Sequence, residues 1–224
     1  MSFLRQAGAV AGKDLRIEVR GRYALGAMLP FAATLLISFG LSLGPGRTFL
    51  QQTAPGLLWM AVLFAAVLSS RRAYESEAED GALEGLLLAP VDKAAVYLGK
   101  VAAISAQLIV LEVLVVTLTS VLFDLSLGSD PVRLAGGFLL GTMGLAGVGA
   151  LFGALDVSAR AREAVFPLLV LPLAAPVLVA GVKTTALAVA GHGGEAGSWL
   201  GLLAAFDVVI LAAGTLVYGH VLED

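Results

Sequence analysis

Residues 101–123 read VAAISAQLIVLEVLVVTLTSVLF, an apolar run whose single charged residue, Glu112, stands at its middle. About 20 such residues, coiled as helix, cross a hydrocarbon core roughly 30 Å thick, and a helix satisfies its own backbone polar groups in lipid. The run reads as a membrane span. Stretches of the same character lie at 23–43, 54–70, 134–155, 164–190 and 199–221, with 54–70 the shortest and extended by its flanks. A hydrophobic fraction of 58% and a mean hydropathy of +0.93 exclude an ordinary soluble domain. The longest hydrophilic stretch, about 30 residues between the second and third spans, is too short for a core of its own. The expected fold is an all-α integral membrane protein: one domain, residues 1–224, with six transmembrane helices.

The connections orient it. Arg5, Lys13, Arg16, Arg20 and Arg22 precede the first span, Arg71, Arg72, Lys93 and Lys100 lie between the second and third, and Arg160 and Arg162 between the fourth and fifth. The other side carries Arg47, Arg133 and Lys183, a split of eleven against three. Short loops rich in Lys and Arg stay in the cytoplasm, so both termini are expected there. The net charge of −3 adds little, because the sorting of Lys and Arg carries the information. The amino terminus does not read as a cleavable signal.

Residues 3–20 read as an amphipathic helix on the membrane surface. Phe3, Leu4, Ala7, Val10, Ala11, Leu15, Ile17 and Val19 fall within an arc of about 200°, and Arg5, Lys13, Arg16 and Arg20 share the opposite side. A basic face opposite an apolar one suits the cytoplasmic headgroup region. Asp14 and Glu18 lie inside the apolar arc, to pair with neighbouring basic residues at helical spacing or to contact a partner chain.

Glycine and proline mark the rest of the chain. Pro45-Gly46 and Asp130-Pro131 are turns, and Pro55 falls at the start of the second apolar stretch, where proline is tolerated. Gly137-xxx-Gly141 and Gly149-xxx-Gly153 allow close helix approach, within the bundle or along a self-association seam. The fifth stretch holds Pro167, Pro172 and Pro176, each of which removes a helical hydrogen bond. A kinked or broken element is expected, its outer part turning back, with irregular backbone facing protein or a wet cavity.

Chemistry is sparse. Without cysteine there are no disulfides and no thiolate ligands. Gly8-Ala-Val-Ala-Gly12-Lys13-Asp14 is one residue short of a phosphate loop, has Asp where Ser or Thr is required, and follows no strand. His192 and His220 are too far apart to suggest a metal pair; His192 reads as a solvated loop residue or a transient haem or metal contact. No metal site is expected. Glu112, with Gln107 nearby, and Asp207 lie within spans. Carboxyls at such depth face the bundle interior or water, as part of a substrate route or as hydrogen-bonded structural groups.

Several further segments, taken in order, carry a likeness. They are Lys13-Asp-Leu-Arg-Ile-Glu-Val-Arg20, Ala54-Pro-Gly-Leu-Leu-Trp59, Glu79-Asp-Gly-Ala-Leu-Glu84 through Leu88-Ala-Pro90, Gly99-Lys100, and Leu169-Val-Leu-Pro-Leu173 with Pro176. Together they resemble the cytochrome c maturation protein B family (CcmB, haem exporter protein B) over essentially the full length. The resemblance implies an ABC-2-type permease in the bacterial inner membrane, with no ATPase of its own. It implies partners: a CcmA-like ATPase that binds the ATP, CcmC-like and CcmD-like membrane subunits, and a CcmE-like haem chaperone. Haem is then a substrate of the complex rather than a cofactor of this chain, whose only tryptophans are Trp59 and Trp199.

An acidic, leucine-rich inner connection suits docking on an ATPase, so Glu79, Asp80, Leu83, Glu84, Leu86 and Leu87 form the expected coupling element. The plainer reading of the same run is a solvated face. Two ATPases need two such loops, which implies a homodimer. No nucleic-acid partner is expected. Competing readings are an ABC-2 exporter subunit for another lipid or amphiphile, and an ion-driven carrier using Glu112 and Asp207, which would show an inverted repeat. An embedded enzyme would need clustered acid, base or metal ligands, which the sequence does not offer.

Overall fold

The structure is a computed structural model that describes the chain except residues 1, 22, 45, 80–90, 126, 128, 159–164 and 224, and no side chains at 23–25, 75–79, 155–158, 165–169 and 220–223. Among the described residues there is helix and no strand. The helices are α1 (Phe3–Gly21), α2 (Tyr23–Ser42), α3 (Arg47–Glu79), α4 (Lys93–Phe123), α5 (Pro131–Ser158), α6 (Val165–Val189) and α7 (Gly197–Glu223), with a 3-10 turn at Gly193–Ala196 before α7.

Helices α3 to α7 are each long and apolar enough to cross a bilayer. At ~1.5 Å per residue the 20 residues of α2 reach about 30 Å, enough for a sixth crossing. The chain is thus a multi-pass, all-helical membrane protein. Hydrogen bonding and caps, rather than hydropathy, set where these helices end. The 33 residues of α3 extend roughly 50 Å, well beyond the apolar stretch 54–70. Pro55 therefore stands inside α3 and not in its first turn, because residues 47–53, Arg47, Gln51 and Gln52 among them, continue the helix outward. Asp92 caps α4 by accepting from the Ala94 N–H at 2.9 Å, and Asp124 ends that helix in a left-handed conformation (φ 52°). Pro131 opens α5 behind Asp130, which accepts from the Arg133 N–H at 3.2 Å.

Helix α6 corrects the expected break. It runs without interruption from Val165 to Val189 with Pro172 and Pro176 inside it, and Pro167 falls in its first turn. A first-turn proline loses no intrahelical bond. Membrane helices tolerate interior prolines because neighbouring helices and small local adjustments re-satisfy the freed carbonyls.

Helix α5 lies at the centre, packed on α3, α4, α6 and α7, while α1 packs on α4 and α2 on α3 and α4. That position explains the glycines of α5. The indole of Trp59 from α3 occupies the space a side chain at Gly141 would need, and also lies 2.6 Å from where a Cβ on Gly181 of α6 would stand. It stacks on Phe138 at 5.5 Å and donates to the Thr185 hydroxyl at 2.9 Å. Gly137 meets Thr184, Gly149 meets Ser70 and Gly153 meets Tyr74. Both small-residue pairs are filled from within this chain.

Candidate functional site

The segment 80–90 joins α3 to α4, and a polar joint lies where these two helices meet at the basic-rich end. Lys100 of α4 has no exposed surface, although it reads from sequence as a loop residue. Burying an ammonium demands compensation. Its Nζ donates to the Ala73 carbonyl of α3 at 2.8 Å, stands 3.2 Å from the Asp14 carboxylate of α1, and lies 4.8 Å from the centre of the Tyr74 ring. Lys13 holds the other Asp14 oxygen at 3.0 Å on the more exposed side. Asp14 thus pairs within the chain, with its sequence neighbour Lys13 rather than at helical spacing, and a distant helix supplies a second cation.

Tyrosines extend the joint. Tyr97, one turn before Lys100, places its hydroxyl 3.1 Å from the Gly147 carbonyl of α5 and 3.2 Å from the Ile210 carbonyl of α7. The Tyr74 hydroxyl donates to the Ala150 carbonyl at 2.6 Å, so the Tyr218 hydroxyl, 2.9 Å away, donates to Tyr74. Tyr97 and Tyr218 stack obliquely at 5.4 Å. These three rings and Lys100 are buried, and they tie α1, α3, α4, α5 and α7 at one level.

Helix α1 seats tightly here. A Cβ on Gly99 would lie 2.7 Å from the Ala7 carbonyl and 2.7 Å from the Val10 Cβ, so α4 offers α1 a groove that only glycine provides. The Asp92 N–H donates to the Gln6 side chain at 3.0 Å, fixing the start of α4 to α1. On α1, Arg5, Arg16 and Arg20 are exposed and Lys13 half-buried. Phe3, Leu4, Ile17 and Val19 stay uncovered by protein, available to the headgroup region.

The intramembrane candidates separate. Gln107 accepts from the Ser69 hydroxyl of α3 at 2.6 Å. Glu112 accepts from the buried Thr142 hydroxyl of α5. Asp207 of α7 is 4% exposed, and among the described residues neither of its oxygens has a hydrogen-bond partner. It sits beside Gly144, 2.8 Å from where a Cβ there would stand. Residues 142 and 144 face about 200° apart on a helix, which puts Glu112 and Asp207 on opposite sides of α5. They do not form one ion site.

Glu79 is the last residue of α3, with its side chain outside the described set, and Asp80, Leu83, Glu84, Leu86 and Leu87 lie outside the described residues. His192 precedes the 3-10 turn, and the side chain of His220 is outside the described set. Among the described residues no three His, Asp or Glu side chains gather as a metal site.

A multi-pass helical bundle with an amphipathic first helix and a buried polar joint at its basic-rich end is the architecture of a membrane permease. The chain belongs to the CcmB protein family, whose profile matches residues 5–224. It is similar to proteins named heme exporter protein B. That of Pseudomonas aeruginosa is 36% identical over 173 residues, 75% of each chain. That of Rhodobacter capsulatus is 33% identical over 78% of this chain and 80% of its own, and that of Haemophilus influenzae 32% identical over 88% and 87%.

Proposed function

We propose that this chain is the membrane permease subunit of a haem-exporter-type complex serving cytochrome c maturation, a transporter component and not itself an enzyme. A separate CcmA-like subunit binds and hydrolyses ATP. The segment around Glu79, Asp80, Leu83, Glu84, Leu86 and Leu87 receives its motion. CcmC-like and CcmD-like subunits complete the assembly, a CcmE-like chaperone carries the haem away, and haem is cargo of the complex. The chain works as a homodimer in the bacterial cytoplasmic membrane with both termini inside, the orientation favoured by the sorted basic residues.

One observation carries the coupling part of this reading. Residues 80–90 connect α3 to α4 in sequence, and these two helices are joined near the ends so connected by the buried Lys100, which also holds α1. A push on that segment reaches five tied helices as a unit. The test reverses Asp80 and Glu84 to Lys and purifies the complex in mild detergent. The variant chain is expected in the membrane at normal levels without the ATPase subunit. Normal recovery of the ATPase refutes the assignment.

A further inference from the structure

At the basic-poor end a cleft of about 540 Å³ opens between the start of α3, the end of α4 and the last turns of α6. Its size lies within the roughly 300–1,000 Å³ typical of small-molecule sites. Leu125 and Leu187 supply apolar wall, while Gln51, Gln52, Asp124 and Lys183 supply the polar groups. The charges are unequal. The Asp124 carboxylate is taken by Arg47 at 2.9 Å, and its carbonyl accepts the Gln51 amide at 2.8 Å. Lys183 has no carboxylate partner among the described residues.

Lys183 stands about 9 Å short of Val189, the end of α6, at ~1.5 Å rise per residue. The Lys183 side chain is exposed towards the cleft mouth, and an ammonium there with an apolar wall beside it selects a ligand of the same mixed character. We propose that this cleft binds the anionic headgroup, carboxylate or phosphate, of an amphiphile whose apolar portion lies against Leu125 and Leu187. Lys183 is the counter-charge. The site is at the opposite end of the bundle from segment 80–90, so it stands or falls independently of the coupling reading.

The test places the full chain in phosphatidylcholine nanodiscs with a diazirine-bearing long-chain carboxylic acid, and maps the light-induced adducts by mass spectrometry. Adducts are expected on peptides covering 48–55 and 183–190. They should fall about tenfold in Lys183→Met, the equivalent of one lost ion pair in a wet cleft. Lys183→Arg should restore them, and the corresponding diazirine alcohol should not compete. Replacing part of the phosphatidylcholine with phosphatidylglycerol identifies the source: lost labelling assigns the cleft to a lipid phosphate, and retained labelling to a free carboxylate. Equal labelling by acid and alcohol, or labelling indifferent to Lys183→Met, overturns the proposal.

Discussion

Replacing Lys100 with Met removes the buried cation while nearly preserving its volume. Asp14, 7% exposed, is then left in a protein environment that compensates it poorly. Breaking a buried ion pair from one side costs about 3–5 kcal/mol, because the surviving charge has lost its partner. Lys13 still holds Asp14 at 3.0 Å and is 41% exposed, so it compensates part of that loss. The expected destabilisation is therefore at the lower end, about 3 kcal/mol. The Ala73 carbonyl also loses its donor, which keeps the figure from falling much further. Lys100→Met with Asp14→Leu removes both charges, and apolar replacement of a whole buried pair is often neutral or better. The double variant should recover at least half of the loss. Unfolding free energies measured by denaturing-detergent titration in mixed micelles give all corners of this cycle. A single-variant cost below about 1 kcal/mol, or a double variant less stable than Lys100→Met, refutes the argument that this pair is an interior joint.

Further outcomes follow from the same geometry. Gly99→Ala forces a methyl into the Ala7 carbonyl and Val10, and overpacking of this kind costs about 1–3 kcal/mol. It should appear as faster proteolysis within α1, and unchanged protection would show that α1 does not depend on this seat. Gly141→Ala drives a methyl into the Trp59 ring and should cost a similar ~1–3 kcal/mol in the same detergent titration, with a neutral result excluding the described packing. Outside the spans, the Arg133 guanidinium and N–H beside Asp130 hold its carboxyl below the usual carboxylate range. A depressed folded pKa contributes stability above the unfolded value, about 3.9, and that stability is lost as pH falls through the lower folded value. Hydrogen-exchange protection at the first turn of α5 should therefore hold at mild acidity and drop only well below it. Asp130→Asn should abolish that pH dependence, and a profile shared by both proteins would contradict the cap.

The fold class was readable because lipid imposes one rule on every span, and a run such as 101–123 obeys it without reference to any other part of the chain. The ends of α3 and α4 were not readable from hydropathy, which measures the thickness of the apolar layer. Helix length is decided by backbone bonding and by caps such as Asp92. Prolines 172 and 176 misled for a related reason. Their local penalty is real, but packing of α6 on α3, α5 and α7 outweighs it. Lys100 reads as a connection residue on charge alone. Two signals could have moved it inward: Tyr97 lies one helical turn before it, and Asp14 breaks the apolar arc of α1. The four tyrosines, all near the basic-rich ends of spans, are a further hint, since a buried phenol needs a partner for its hydroxyl. The distant pairing itself depends on how α1 folds back on α4, which no local pattern encodes.

The two ends of the bundle are built differently, and the difference bears on how such a protein can move. At the basic-rich end, buried hydroxyls and an ammonium bond to main-chain carbonyls of α3, α5 and α7, which cannot rotate away as side-chain acceptors do. Releasing any one of them strands a buried polar group, at about 1–3 kcal/mol each, so these helix ends hold together or separate together. At the opposite end, among the described residues, α3 is tied to the end of α4 by a 2.9 Å ion pair between exposed Arg47 and Asp124 and by an amide on a carbonyl, beside an open cleft. Exposed pairs of that kind contribute about 0–1 kcal/mol. On the proposed coupling, a displacement that enters between α3 and α4 meets a stiff joint first and a loosely tied mouth last. Rigid-body tilting of the tied helices, with opening concentrated around Lys183, is the motion that breaks the fewest strong contacts.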